Sequence, residues 1–177
     1  MGEFEHEVDR RYGSTISFVE TSPERVVVEI AYAGNGVKPP THFHPSQEER
    51  FRVLEGEIHA LVDGEERVLR AGDELTIPPG TPHQMWSEEP ARQRWETRPP
   101  LKTERFFETL WGLQQDGRLE GDPRKAKLQM ALTMRHFRDE IRVIGLPRAQ
   151  QRALPLLAVA ARARGLRPEY QPASRSG

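Results

Sequence analysis

Four side chains of this 177-residue chain have the types and spacing to hold a metal ion. His42 and His44 lie two apart, so in an extended strand both project to one side and can bind one ion together. Glu49 follows beyond a turn at Pro45-Ser46, and alternation from it puts Phe51 and Val53 on its own face. His83 belongs to a second segment, Gly72 to Ser87, in which Pro78 and Gly80 make a tight turn and Met85 and Ser87 share the face of His83. Three imidazoles and one carboxylate can then converge from two hairpin regions. Such a donor set suits Fe, Mn, Ni, Cu, Co or Zn, and leaves an ion of octahedral habit about two positions for water, substrate or O₂.

These two segments resemble the two motifs of the cupin superfamily. Gly36, His42, His44, Glu49 and Gly56 match the pattern G-x5-H-x-H-x4-E-x6-G without a gap. Gly72, Pro78, Gly80 and His83 match G-x5-P-x-G-x2-H-x3-N, with Ser87 in place of the final asparagine. The resemblance covers residues 14–98. It implies a mainly β fold, the cupin-type double-stranded β-helix or jelly-roll barrel, followed here by a C-terminal α-helical extension. It also implies one divalent transition metal ion held by His42, His44, Glu49 and His83. Iron or manganese stand first, and nickel, copper, cobalt or zinc would also suit. Glu49 rather than Glu48 is the implied ligand, because it stands seven positions before Gly56. The departure at Ser87 bears on a pocket or turn contact and on no ligand.

The elements that must position these groups read as short strands. Residues 14–19 and 25–33 are β-branched and aromatic runs separated by Thr21-Ser22-Pro23. In the second run Val26, Val28, Ile30 and Tyr32 share one face, which marks a strand with one core side. Further strands are expected over 49–54, 57–62, 75–78, 82–87 and 91–97. Asp63-Gly64 suits a type I′ hairpin, since both central residues of that turn need positive φ. Many short strands with Gly/Pro turns argue for an antiparallel sandwich or barrel.

After Arg98-Pro99-Pro100 the period changes to that of helices. Thr103 can cap a helix to Asp116, with Gly117 as its left-handed stop. Asp122-Pro123 opens a second, in which Ala126, Met130, Met134, Phe137, Ile141 and Ile144 predict one long amphipathic helix to Gly145. Arg148 to Arg164 forms a third, with Pro155 kinking it or marking its effective start and Gly165 ending it. The expected organisation is a barrel domain over 1–98 and a helical extension over 99–177, whose tail from Arg167 to Gly177 reads as poorly ordered.

Composition bounds the function classes. The absence of cysteine removes disulfide frameworks, thiolate zinc sites, iron–sulfur clusters and cysteine nucleophiles. The N-terminal stretch is acidic and has no apolar run of the kind a secretory signal carries, and no run spans a membrane, so a cytoplasmic protein is expected. Residues 1–117 carry 22 acidic and 13 basic side chains, a balance of −9, whereas residues 118–177 carry 5 and 13, a balance of +8. The basic helices are expected to pack on the barrel or across a homodimer, ahead of a lid over the barrel mouth. Contact with a membrane surface ranks last, and nucleic acid is not an expected partner, because the arginines are spread and no nucleic-acid motif accompanies them.

The function expected is that of a metal-binding cupin that binds or transforms a small organic molecule, with a metal-dependent dioxygenase ahead of two rivals. Those rivals are a non-catalytic small-molecule sensor and a metal-dependent sugar isomerase or epimerase. Phe51, His59, Met85 and Trp95 are candidates for lining the ligand space. No separate general base is identifiable. His6 and His136 lie outside the motifs and read as surface or helix histidines, and Glu48 and Arg50 as solvated strand residues.

Overall fold

The computed structural model describes residues 5–9, 13–145 and 148–170. The chain divides into two compact units, Met1–Glu104 with Asp139–Gly145, and Arg105–Arg138 with Leu146–Gly177.

The first unit is built from strands β1 (Glu5–Asp9), β2 (Ser14–Thr21), β3 (Val26–Tyr32), β4 (His42–Phe43), β5 (Glu48–Glu55), β6 (Glu57–Val62), β7 (Glu65–Arg70), β8 (Glu74–Ile77), β9 (His83–Trp86), β10 (Ala91–Arg98) and β11 (Arg142–Val143). They form two antiparallel sheets, one ordered β1-β2-β3-β10-β5-β8 and the other β11-β4-β9-β6-β7. This is the expected jelly-roll sandwich. The alternation that predicted the strands is what builds its interior. Glu49, Phe51 and Val53 of β5 are buried, as are Gln93, Trp95 and Thr97 of β10, while Arg50, Arg52, Arg92 and Arg94 between them are exposed. Ile58, Ala60 and Val62 of β6 and Leu75 and Ile77 of β8 complete the apolar filling.

Turn chemistry sets the registers. Asp63 and Gly64 both take positive φ, 50° and 85°, and join β6 to β7 so that Val62 faces Glu65. Gly56 has φ 73° between β5 and β6, and a Cβ there would lie 2.7 Å from the carbonyl oxygen of Pro90, so the close strand crossing requires glycine. Ser87, at the position where the motif has asparagine, is buried with its hydroxyl within 2.8 Å of Glu57 O and 2.5 Å of Glu89 O. That side chain ties a strand end to its neighbours.

Helices follow the strands, as expected, in α1 (Thr103–Gln115), α2 (Pro123–His136) and α3 (Arg148–Ala163). Asp122 caps α2 by accepting a hydrogen bond from the backbone N–H of Arg124 at 2.8 Å, and Pro123 follows at the first helical position. Gly117 at φ 66° ends α1, and Gly165 at φ 76° follows α3, which runs through Pro155. Thr103 lies inside the first turn of α1 and does not cap it; its hydroxyl accepts the side-chain amide of Gln47 at 2.8 Å. In the second unit Phe137 is fully buried with its ring 5.3 Å from that of Phe106, and Leu132, Ala158 and Ala161 form a cluster joined by Leu128 and Leu166.

Two further expectations need correction. The long helix to Gly145 stops at His136, and Arg142–Val143 instead pairs antiparallel with β4. Ile141 and Ile144 satisfy a helical period, but the run Ile-Arg-Val-Ile is β-branched, and an available strand edge decides its conformation. Of the tail expected to be disordered, the first four residues are held in place. Gln129 Nε2 donates to Arg167 O at 2.8 Å, Thr133 Oγ1 to Pro168 O at 3.0 Å, and His136 Nε2 lies 2.7 Å from Glu169 Oε1. The remainder of that tail lies outside the described residues, as does the side chain of His6.

Truncating Phe137 to alanine leaves a cavity at a fully buried site, so Phe137→Ala is expected to cost about 3–5 kcal/mol, read as a lower urea midpoint.

Candidate metal centre

The site forms where the short strand β4 meets β9. Their register places His42 directly opposite His83, and His44 follows one residue beyond β4 on the same side as His42. The turn before β9 docks on this strand, because Gly80 N–H donates to His44 O at 2.8 Å. The ring centroids of His42, His44 and His83 lie 5.2, 4.5 and 5.5 Å apart in pairs, and one nitrogen from each falls within 4.8 Å of the others. Three histidines from two segments are thus brought together and could hold a metal ion.

Glu49 reaches this cluster from the other sheet, where β5 and β10 set it opposite Thr97. Its Oε1 is 3.2 Å from His44 Nε2 and its Oε2 is 3.0 Å from His83 Nε2. Glu49 and His83 are each 2% exposed, while His42 is only partly buried, so solvent reaches the cluster from the His42 side.

The hydrogen bonds at the far nitrogens determine what these close approaches mean. His42 Nδ1 lies 3.0 Å from Pro40 O, His83 Nδ1 3.0 Å from Thr81 O, and His44 Nδ1 2.6 Å from Glu140 O. A carbonyl only accepts, so each Nδ1 carries a proton, and a ring in its neutral form turns its Nε2 lone pair inward. Two of those lone pairs then face a carboxylate across about 3 Å, acceptor against acceptor. Glu49 Oε2, although fully buried, accepts no aligned hydrogen bond among the described residues. The arrangement requires a shared cation, either a proton or a metal ion, and nitrogen and carboxylate donors of this kind suit a divalent transition metal.

Electrostatics agree. Burial, then the neighbouring His83 and His44, push the pKa of His42 down to about 4. At His83 burial also opposes the charged form, but Glu49 outweighs it and the pKa is raised. Burial works against the Glu49 carboxylate, and the surrounding imidazoles overcome it and hold its pKa below the usual value.

The other candidates separate. Phe51, Met85 and Trp95 are buried on the interior face that carries the cluster. Phe51 stacks on Trp95 at 6.3 Å and meets His83 at 6.5 Å. His59 does not join them. Ala60 is the residue of β6 that faces Met85, so His59 lies on the opposite face, stacked on Trp86 at 5.4 Å and 3.6 Å from Glu57. His136 is engaged in the second unit with Glu169.

Glu140 contributes to the site, and Thr97 and Gln93 share its interior face, without a motif that marks any of them. Glu140 supplies a backbone carbonyl 96 positions from the ring it orients, and nothing in a side-chain pattern signals that. Thr97 and Gln93 stand beside Trp95 on β10. Thr97 Oγ1 and Gln93 Oε1 are buried with no hydrogen-bond partner among the described residues, and the alternation of β10 with β5 was the available clue.

Comparison with known proteins agrees with this geometry. Residues 28–95 match the cupin domain family (Cupin_2). The β-domain of this chain therefore carries a cupin domain over these residues. An oxidoreductase of Arthrobotrys oligospora is 32% identical over 98 residues, which cover 49% of this chain and 38% of that protein. Quercetin 2,3-dioxygenase of Bacillus subtilis is 42% identical over 56 residues, 32% of this chain and 17% of that enzyme. The chain therefore spans well under half the length of these curated relatives. An RmlC-like cupin from Shewanella frigidimarina superposes with a TM-score of 0.53 at 24% identity, over 58% of this chain and 88% of that one, and shares the fold.

Between its folded pKa of about 4 and its ordinary 6.5, His42 refuses a proton that the unfolded chain accepts. Stability of the metal-free protein should therefore fall as pH drops through that window, by on the order of 3 kcal/mol from this residue. His83, with its raised pKa, acts oppositely, adding stability below its unfolded value that is lost as pH rises through the folded one. Urea denaturation in chelator is expected to show a shallower loss between pH 6.5 and 4 for His42→Gln than for the wild type.

Proposed function

We propose that this cupin is a metal-dependent oxidoreductase of dioxygenase type acting on a small organic molecule, with His42, His44, Glu49 and His83 as ligands of one iron or manganese ion. The observation that carries the reading is the set of imidazole lone pairs directed at a buried carboxylate whose Oε2 has no aligned donor. When bound, the ion supplies Lewis acidity and a route for electrons between substrate and O₂. The names of the A. oligospora and B. subtilis relatives support the class and leave this chain's substrate as a proposal.

The chain's own residues have separable tasks in this reading. Carbonyls of Pro40, Thr81 and Glu140 hold the three rings in the tautomer that can ligate. Phe51, Met85 and Trp95 offer an apolar wall that excludes water and accepts an aromatic or aliphatic body. Thr97 and Gln93 offer polar atoms that can receive or orient a hydroxyl. A dioxygenase reaction leaves both atoms of O₂ in the organic product and takes its electrons from the substrate, so it needs no site for an external reductant.

Replacing His83 with alanine is expected to lower metal content at least tenfold by elemental analysis, whereas His59→Ala, on the opposite face, should leave it within twofold. The wild type loaded with iron or manganese should consume O₂ in the presence of some member of a panel of phenols, including quercetin, and keto acids. Background uptake across the panel with every metal tried would sink the oxygenase reading. Product formed without O₂ loss would favour the isomerase class, and ligand recovered unchanged would favour a binder.

A further inference from the structure

Two of the three histidines are oriented by the chain leading into their own strands, since Pro40 and Thr81 stand two positions before His42 and His83. His44 differs, because its Nδ1 is held by Glu140 O, which lies in sequence between α2 and α3. Residues 139–145 fold with the first unit as a strap along the outer edge of β4. Arg142 pairs with Phe43 and Val143 with His42, and Ile144 N–H donates to Thr41 O at 2.9 Å. Glu140 is 5% exposed, and its carboxylate Oε1 receives Lys102 N–H at 3.3 Å, which anchors the start of the strap.

On its other side the strand is held by β9 and the turn before it, through Gly80 N–H to His44 O at 2.8 Å and Thr41 Oγ1 to Gln84 Oε1 at 3.1 Å. β4 is two residues long and meets β9 through a single register pair, His42 with His83. Without the strap the edge of β4 would present unpaired backbone groups, and His44 Nδ1 would lose its carbonyl acceptor, leaving Glu49, 3.2 Å from Nε2, to draw the proton to the other nitrogen. We propose that residues 139–145 are a positioning strap for the metal centre, with Glu140 and Ile144 as positioning residues that set the tautomer and direction of His44. The proposal rests on the metal-site reading above, and it gives this segment of the C-terminal region a role in ligand geometry.

The test uses the full chain stripped of metal, wild type beside Ile144→Pro, Ile144→Val and Glu140→Ala. Proline removes the donor to Thr41, valine keeps it, and Glu140→Ala keeps the carbonyl while removing its anchor. Cobalt(II) affinity and visible absorption are measured by titration, and long-range ¹H–¹⁵N spectra of the metal-free protein report the tautomer of His44. Ile144→Pro is expected to weaken cobalt binding about 10- to 100-fold, as loss of a ligand-orienting partner does. It should also shift the cobalt spectrum and mix the His44 tautomers, while Ile144→Val matches the wild type. Glu140→Ala, a milder change, should weaken cobalt binding severalfold and decides the matter if the proline variant fails to fold. Unchanged cobalt affinity and an unchanged His44 tautomer in the folded variants would overturn the strap. A wild type that binds no cobalt or other divalent metal would instead overturn the metal reading, and the tautomer spectra would still decide the strap.

Discussion

Everything at the centre depends on three hydrogen bonds from imidazole Nδ1 to backbone carbonyls, at Pro40, Thr81 and Glu140. A free histidine divides its proton between two nitrogens; these carbonyls remove the choice and turn all three Nε2 lone pairs one way. The sandwich exists around that constraint. The pairing of His42 with His83 joins two segments 41 residues apart, and the β5–β10 register delivers Glu49 from the facing sheet. A slip of one residue in β5 would exchange buried Glu49 for Glu48 or Arg50 on the solvent face and leave the imidazoles without their carboxylate.

Much of this was legible because strand alternation and turn chemistry are local. The buried set of β5 and β10, the Asp63-Gly64 hairpin and the convergence of His42, His44 and His83 follow from period-two spacing and from residues that tolerate positive φ. What failed was decided by partners distant in the chain. Ile141 and Ile144 fit a helix as well as a strand until β4 offers its edge. His59 alternates as cleanly as Phe51 does, and only the register of Ala60 against Met85 says which face looks inward. The carbonyl of Glu140 has no sequence signature, because every residue but one kind in a chain carries the same backbone pair of donor and acceptor, and that kind still carries the acceptor.

The strap alters how the C-terminal region is to be understood. The motifs occupy residues 36–87, and a reading confined to them would treat everything past Arg98 as appended. Yet residues 139–145 complete the sheet beside β4 and place an acceptor against a ring of the cluster. The site is a property of a longer stretch of chain than the motifs span.

If the four groups hold an ion as proposed, metal and folding are coupled by the same geometry. In the metal-free state the burial of Glu49 and of the rings opposes charge, the depressed pKa of His42 resists the proton that would relieve the repulsion, and His83 takes up part of it through Glu49. A divalent ion resolves all of these at once, since it satisfies the lone pairs and the carboxylate without requiring a buried imidazolium. Because the four groups come from two sheets, an unfolded chain cannot present them together, and an ion bound only by the folded form stabilises it in proportion to the logarithm of its free concentration over the dissociation constant. In the metal-site reading proposed above, the interior polarity that weakens the empty sandwich is the source of its affinity for the ion.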